Sequence, residues 1–126
     1  MKLFARHGLI TVLATCCTVS FFSIGCGSPS PTAVVKTFHA AMLKGDMETV
    51  GKNCTPETLQ MVVTFGSKLQ PMLKGKGKIT SAKETVNGDE AKVEVTYENG
   101  DSDTYDLVKK DGKWKVHEDM KSGSGK

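Results

Sequence analysis

Apolar and polar residues alternate in two different ways along the chain after residue 30. In residues 31–43, apolar side chains recur at the three- and four-residue spacing of an amphipathic helix. Ser30 is a suitable helix cap, and Pro31 suits the first helical position. Gly45 is a common terminating residue. The pattern therefore predicts a first helix over residues 31–43.

Two further helices are predicted before the pattern changes. Asp46 can cap a short helix that runs to about Lys52. The segment Thr55-Pro56-Glu57 supplies a cap, a proline for the first turn and an acid that favours the positive end of the helix dipole. Pro71 is expected to weaken or end this third helix. The predicted apolar side of this helix consists of Leu59, Val62, Val63, Gly66 and Leu69. Gly66 is expected to mark a close approach of another backbone segment.

From residue 78 onward the apolar positions alternate with polar ones, which indicates half-buried strands. Three pairs of residues are strong hairpin signals and divide this segment into four strands: Asn87-Gly88, Asn99-Gly100 and Asp111-Gly112. Helices followed by strands predict an α+β fold, with N-terminal helices packed on one face of a four-stranded antiparallel meander. We place this domain at residues 31–119 and a flexible tail at residues 120–126.

The first 25 residues have the pattern of an export signal. Residues 1–7 are basic, and residues 8–25 are uncharged and mostly apolar. A basic segment, an apolar run and small residues before a cleavage point are typical of a secretory signal peptide. The two cations hold the amino end in the cytoplasm. The pattern therefore predicts that the chain after Gly25 is exported.

Cys26 follows Ser23-Ile24-Gly25, and this segment resembles a bacterial lipobox. In such signals a small residue precedes a cysteine that receives a diacylglycerol thioether and becomes the mature N-terminus. This chain has Ser23 where the family usually has an aliphatic residue, and a polar tether follows at residues 27–30. The resemblance implies a lipoprotein of the bacterial cell envelope, anchored to a membrane through Cys26 on the periplasmic or outer-membrane face. Simple secretion and an uncleaved membrane anchor remain as alternatives.

Cysteine usage and charge exclude several protein classes. Two cysteines lie in the signal, so Cys54 is alone in the folded part and no disulfide framework is expected. A Cys26–Cys54 disulfide is possible only if Cys26 carries no lipid. The 17 basic and 14 acidic residues leave an exported part close to neutral, because two of the cations belong to the signal. We therefore expect no nucleic-acid partner.

The order of elements resembles a known family. A helical hairpin ending near Lys44-Gly45-Asp46 leads to a third helix and to a meander that closes on residues 111–116, DGKWKV. This order is similar to that of small bacterial lipoproteins of unknown function with a nuclear-transport-factor-2-like fold, a cone-shaped α+β (cystatin-like) fold. The resemblance covers about residues 31–119, although an obvious strand between the second and third helices is missing. The superfamily includes isomerases, dehydratases, polyketide cyclases and binding domains, so the fold alone does not define the function.

A small set of residues is placed near the expected cone. His39 is expected at the edge of the apolar stripe, partly exposed, and His117 is expected to face solvent. Asp103 either faces the cone or is a solvated acid near the turn. Inward aromatic residues are most often plain core. The candidates for lining a pocket are Phe38, His39, Tyr97, Tyr105 and Trp114.

Known cofactor and metal motifs are missing from the sequence. No His, Cys, Asp or Glu spacing typical of a metal site occurs, and no Gly-rich phosphate loop is found. We therefore expect no cofactor, no metal and no assigned catalytic residue. We interpret the domain as a non-catalytic module that binds a small ligand or an envelope protein. The alternative is a small isomerase-, dehydratase- or hydrolase-like enzyme that uses His39 or Asp103.

The lipid site can be tested directly. Cys26→Ser removes the thiol that would carry the lipid, so labelling of the chain with radioactive palmitate in bacteria should be abolished. The variant should also be recovered as a soluble or unprocessed product. Cys54→Ser is the matched control and should label like the wild type. Palmitate labelling that persists in Cys26→Ser would show that Cys26 is not the lipid site.

Overall fold

The structure is a computed structural model that describes residues 28–118. The predicted signal, Cys26, Asp119 and the predicted tail lie outside the described residues. Three helices precede four strands. In chain order the elements are α1 (Pro31–Lys44), α2 (Met47–Lys52), α3 (Pro56–Lys76), β1 (Ile79–Asn87), β2 (Glu90–Tyr97), β3 (Ser102–Lys110) and β4 (Lys113–Val116).

The helix starts follow the predicted caps. The Ser30 hydroxyl accepts a hydrogen bond from the Ala33 amide, and Pro31 begins α1. Asp46 caps α2 and Thr55 caps α3, each by accepting from the amide three residues further on. These bonds satisfy amides that have no partner inside the helix. The helix boundaries therefore arise from local side-chain chemistry.

The third helix departs from the prediction at three points. It continues through Pro71 to Lys76, because Leu73 packs into the core and the Gly77 amide then caps the helix on the Leu73 carbonyl at 3.2 Å. Val63 is not on the buried side, since its side chain is 68% exposed. A side chain at Gly66 would meet nothing within 4 Å, so the expected close backbone approach is absent.

The four strands form one antiparallel sheet in the order β1-β2-β3-β4. Ala82 lies opposite Val95, and Val95 lies opposite Asp103, so these three residues share the inner face. The last hairpin turns at Asp111 and Gly112, with φ values of 51° and 74°. Positive φ at both positions is what a two-residue hairpin of this kind requires, which explains the Asp-Gly pair.

The core lies between α1 and the inner face of the sheet. α1 packs against β1, β2 and β4, whereas α3 packs on α1 and α2. A parallel bridge between Cys54 and Val116 replaces the missing strand and joins the α2–α3 connection to the edge of β4. The most deeply buried apolar residues are Val35, Val50, Val93, Val95, Tyr97, Leu107 and Val116.

The architecture confirms the predicted α+β class, with helices on a four-stranded antiparallel meander. Each predicted strand and hairpin turn is present, and strand bounds shift by a few residues at most, with β4 ending at Val116. No helix within residues 28–118 is long and apolar enough to cross a membrane.

Trp114 should be essential for stability. Its side chain is 8% exposed in the core, and the Lys109 ammonium lies 5.5 Å from its ring centroid. Truncation of a buried aromatic costs about 3–5 kcal/mol, out of roughly 5–15 kcal/mol for a whole domain. Trp114→Ala should therefore lower the free energy of unfolding in urea by about 3–5 kcal/mol. Trp114→Phe should lose less, and wild-type stability of Trp114→Ala would contradict the core assignment.

Candidate functional site

An open cavity of about 1080 Å³ lies between the helices and the inner side of the sheet. The helices supply an apolar wall that includes Phe38, Met61, Leu69 and Met72. The sheet and Glu118, which follows β4, supply a polar side. The side chain of Met72 is 56% exposed, so the wall is accessible from solvent. The cavity therefore offers an apolar surface and a polar surface to one molecule.

The apolar side of α3 is covered unevenly along its length. Near its start Val62 is buried, and near its end Leu73 is buried. Between them, the space around Gly66 is empty and Phe65 is 39% exposed. The apolar residues of the middle turns recur at helical spacing, which is the pattern of a stripe that covers a core. Here the stripe faces a gap.

A hydrogen-bonded cluster lies on the polar side. Asp103 Oδ2 accepts from the Tyr97 hydroxyl at 2.9 Å and from Lys76 Nζ at 2.6 Å. The hydroxyls of Tyr97 and Tyr105 are 3.0 Å apart. Since Tyr97 donates its proton to Asp103, Tyr105 donates to Tyr97. Asp103 and Tyr105 line the cavity, so this chain of bonds ends at the cavity surface.

Both tyrosines in the cluster stay neutral at physiological pH. Burial is the main reason that the pKa of Tyr97 lies well above its ordinary value. Burial also raises the pKa of Tyr105 to about 12. Both hydroxyl protons therefore stay engaged inside the cluster over the whole physiological range, and its one negative charge, on Asp103, faces the Lys76 ammonium.

Glu118 is the second carboxylate that lines the cavity. Its pKa is raised to about 7, chiefly by burial and also by the nearby carboxylates of Asp106 and Asp103, against the opposing effects of an amide hydrogen bond and of Lys92. That bond runs from the Asp106 amide to Glu118 Oε1 at 3.2 Å. Glu118 therefore changes its charge near neutral pH.

His39 is buried rather than partly exposed, which corrects the prediction. Its side chain is 3% exposed, and Nε2 lies 3.0 Å from the Gly77 carbonyl oxygen. A carbonyl only accepts, so Nε2 carries the proton, and the buried Nδ1 has no partner among the described residues. The ring also packs on Tyr97, with centroids 5.2 Å apart. His39 thus joins α1 to the α3–β1 junction and is not part of the cavity lining.

The junction that His39 contacts needs a glycine. Gly77 has φ of 82°, and an added Cβ would meet the Glu98 carboxylate at 2.5 Å. Only glycine adopts such a backbone readily. A side chain at residue 77 would therefore shift the backbone carbonyl that accepts the hydrogen bond from His39.

The remaining sequence candidates divide between cavity and core. Phe38 and Tyr105 line the cavity. Tyr97 is buried next to Tyr105, and Trp114 is buried in the core. His117 is half-buried rather than directed fully into solvent, and its Nδ1 lies 3.0 Å from the Thr55 hydroxyl.

The described part of the chain contains neither a cluster of metal ligands nor a reactive thiol. Within residues 28–118 no group of three or more His, Cys, Asp or Glu side chains could hold a metal ion. Cys54 is buried, and desolvation raises the pKa of its thiol to about 11. The thiol is therefore protonated and a poor nucleophile.

Sequence reasoning missed two residues of the site. Lys76 lies in a Lys-Gly repeat that reads as a solvated loop, yet it ends α3 and binds Asp103. Glu118 shares parity with the inward Trp114 and Val116, and this parity was the available signal for its place at the cavity. The parity of Asp103 with the inward Tyr105 was the available signal for its place at the cavity.

Two solved structures are similar to this chain. A proposed NTF2-like transpeptidase from Campylobacter jejuni is 23% identical, with a TM-score of 0.48, over 72% of this chain and 100% of that one. A proposed calcium/calmodulin dependent protein kinase II association domain from Xanthomonas campestris is 19% identical, with a TM-score of 0.41, over 68% of this chain and 79% of that one. No protein-family model and no curated protein matches the chain. At these identities and TM-scores the similarities carry no argument about function.

Glu118 should make stability depend on pH. The folded chain holds its proton up to about pH 7, whereas the unfolded chain releases it near the ordinary pKa of 4.5. Between these values the folded state binds more protons, so the contribution of Glu118 to stability falls as the pH rises. Glu118→Gln should remove this contribution, so that its stability relative to wild type rises between pH 4.5 and pH 7.

Urea denaturation across this pH range measures the effect. Glu90→Gln is the matched control, since Glu90 is exposed on β2 and lies outside the cavity lining. The Glu90→Gln stability curve should run parallel to that of the wild type. A parallel curve for Glu118→Gln would contradict the raised pKa.

Proposed function

We propose that this chain is a membrane-anchored envelope lipoprotein whose domain is a non-catalytic module that binds an amphipathic small molecule. The observation that carries the proposal is the cavity of about 1080 Å³, with an apolar wall on one side and hydroxyl and carboxylate groups on the other. Binding sites for small molecules are concave and mostly apolar, with a few polar groups that orient the ligand. The cavity has both features.

The anchoring part of the proposal rests on the N-terminal sequence. The export pattern of residues 1–25 and the lipobox-like segment before Cys26 support it. Only residues 27–30 separate Cys26 from α1. Even fully extended, four residues span only about 14 Å. A lipid on Cys26 would therefore hold the domain close to the membrane surface, where amphipathic molecules collect.

The state of the polar groups favours binding over catalysis. A general base needs access to its substrate and a free lone pair. Asp103 already accepts two hydrogen bonds at one oxygen, one of them from a lysine. His39 is buried against Gly77 and Tyr97 and does not line the cavity. His39 therefore does not reach a ligand in the cavity, and both lone pairs of Asp103 Oδ2 are already used.

A small isomerase-, dehydratase- or hydrolase-like enzyme remains the second candidate. One observation favours it: Asp103 lines an open cavity and lies within hydrogen-bond reach of Tyr97 and Lys76. The two functions differ in the fate of the ligand. A binding module returns its ligand unchanged, whereas an enzyme converts it at a rate that Asp103→Asn lowers.

Two exposed residues of α3 provide a matched test of the cavity. Met72 lines the cavity and is 56% exposed, whereas Val63 does not line it and is 68% exposed. Because both are exposed, Met72→Gln and Val63→Gln should both fold. Met72→Gln should weaken the binding of Nile red, a neutral apolar dye, by about fivefold through loss of apolar contact. Val63→Gln should bind the dye like the wild type.

The measurement is a fluorescence titration of the purified full chain. Dye that enters lipid or the N-terminal signal contributes equally to both variants. The difference between their affinities therefore measures binding at the cavity. Equal affinities in Met72→Gln, Val63→Gln and the wild type would overturn binding at the cavity.

A further inference from the structure

The charges that line the cavity are compensated, with one exception. Asp103 forms an ion pair with Lys76 at 2.6 Å. Glu94 and Lys83 alternate with the inward Val95 and Ala82, so their side chains face each other on the outer side of the sheet, where opposite charges stabilise each other. The remaining charged group of the lining is Glu118. Its position decides which head group the cavity favours.

Glu118 has no cationic partner among residues 28–118. Its carboxylate accepts from the Asp106 amide, which is a neutral donor. Lys92 acts on Glu118 only through space, where it lowers the pKa of the carboxyl group, and its ammonium lies 3.0 Å from the Asp106 carboxylate instead. A half-buried carboxylate that forms no ion pair, at the edge of an apolar cavity, is a strong acceptor for a cationic donor.

We propose that the cavity binds a hydrophobic organic cation, with its apolar part against the wall of α3 and its ammonium group on Glu118. This inference rests on the proposed binding function and names its ligand class. An anionic head group would meet the carboxylates of Glu118 and Asp103, and the cation beside Asp103, Lys76, is already held in an ion pair. Charge therefore selects against anions and in favour of cations.

The apolar wall suits a flexible chain. Met42, Met61 and Met72 all line it. Methionine side chains are unbranched and polarizable, and they adapt to irregular apolar partners. A wall of this composition favours an alkyl or similarly flexible group over one rigid shape.

The titration of Glu118 adds a pH dependence that a purely apolar site lacks. Burial raises its pKa to about 7 in the empty cavity, so the carboxylate is charged above neutral pH and neutral below it. A bound ammonium favours the charged form and so lowers this pKa. Binding of the cation should therefore weaken as the pH falls from 8 to 5.5, while binding of a neutral analogue should not change.

Three probes of equal chain length separate charge from apolar contact: octylamine, 1-octanol and sodium octanoate. Calorimetric titration of the purified full chain at pH 8 should give octylammonium about tenfold tighter binding than octanol, as expected for a charge-assisted hydrogen bond. Octanoate should bind more weakly than octanol. Glu118→Gln should remove the preference for octylammonium over octanol.

Glu90→Gln serves as the matched control, because it removes a carboxylate of the sheet that does not line the cavity. It should keep the preference for octylammonium. Equal binding of octanol and octylammonium, or an unchanged preference in Glu118→Gln, would overturn the cation inference while leaving the binding function intact. If none of the three probes binds, both the cation inference and the proposed binding function are overturned.

Discussion

Tyr97 is the residue on which the inner end of the site depends. It is 1% exposed, and its hydroxyl must find partners because a buried hydroxyl without them is costly. It finds them in Asp103 and Tyr105, while its ring packs on His39 and lies 5.2 Å from the Lys76 ammonium. One side chain thus links α1, the end of α3, β2 and β3. Without it, Asp103 and Lys76 would lack the frame that holds them at the cavity.

The same linkage explains why the cavity stays open. The end of α3 is tied to the sheet by Lys76 and Asp103, and its junction with β1 is tied to α1 by His39. The start of α3 is tied to the end of β4 by the backbone bonds around Cys54 and Val116. Between these ends Leu69 packs against the core, while Met61 and Met72 face the cavity. The wall of the cavity is therefore the part of α3 that the core covers incompletely.

Local chemistry made most of the fold predictable. Ser30, Asp46 and Thr55 act through bonds to amides three residues away, and the Asp111-Gly112 turn acts through the backbone conformation of two residues. Such signals are contained in short windows of sequence. The alternation of strand residues likewise depends only on the period of two.

Tertiary contacts, which the local sequence pattern does not show, determine where α3 ends and which of its residues and those of α1 are buried. Pro71 remains helical because Leu73 beyond it is buried, and that burial is not visible in the local pattern. Val63 was assigned to the apolar side because helical spacing does not say how much of a stripe is covered. His39 lies at the edge of its stripe, and only the Gly77 carbonyl, 38 residues away in sequence, makes it a buried residue. The candidate site was less predictable than the fold because Asp103, Lys76 and Glu118 come from three distant segments.

Three features that lower the stability of the fold lie at or next to this cavity. Met72 exposes an apolar side chain, Glu118 keeps a desolvated carboxyl group, and the Nδ1 atom of His39 is buried without a partner in the described chain. Each costs some stability, and a chain selected for stability alone would remove them with a polar residue or a filled gap. Two of the three line the cavity itself, and His39 packs on the tyrosine that holds its inner end. Perturbed groups and uncovered apolar surface that coincide in one cleft are the pattern of a site kept for binding.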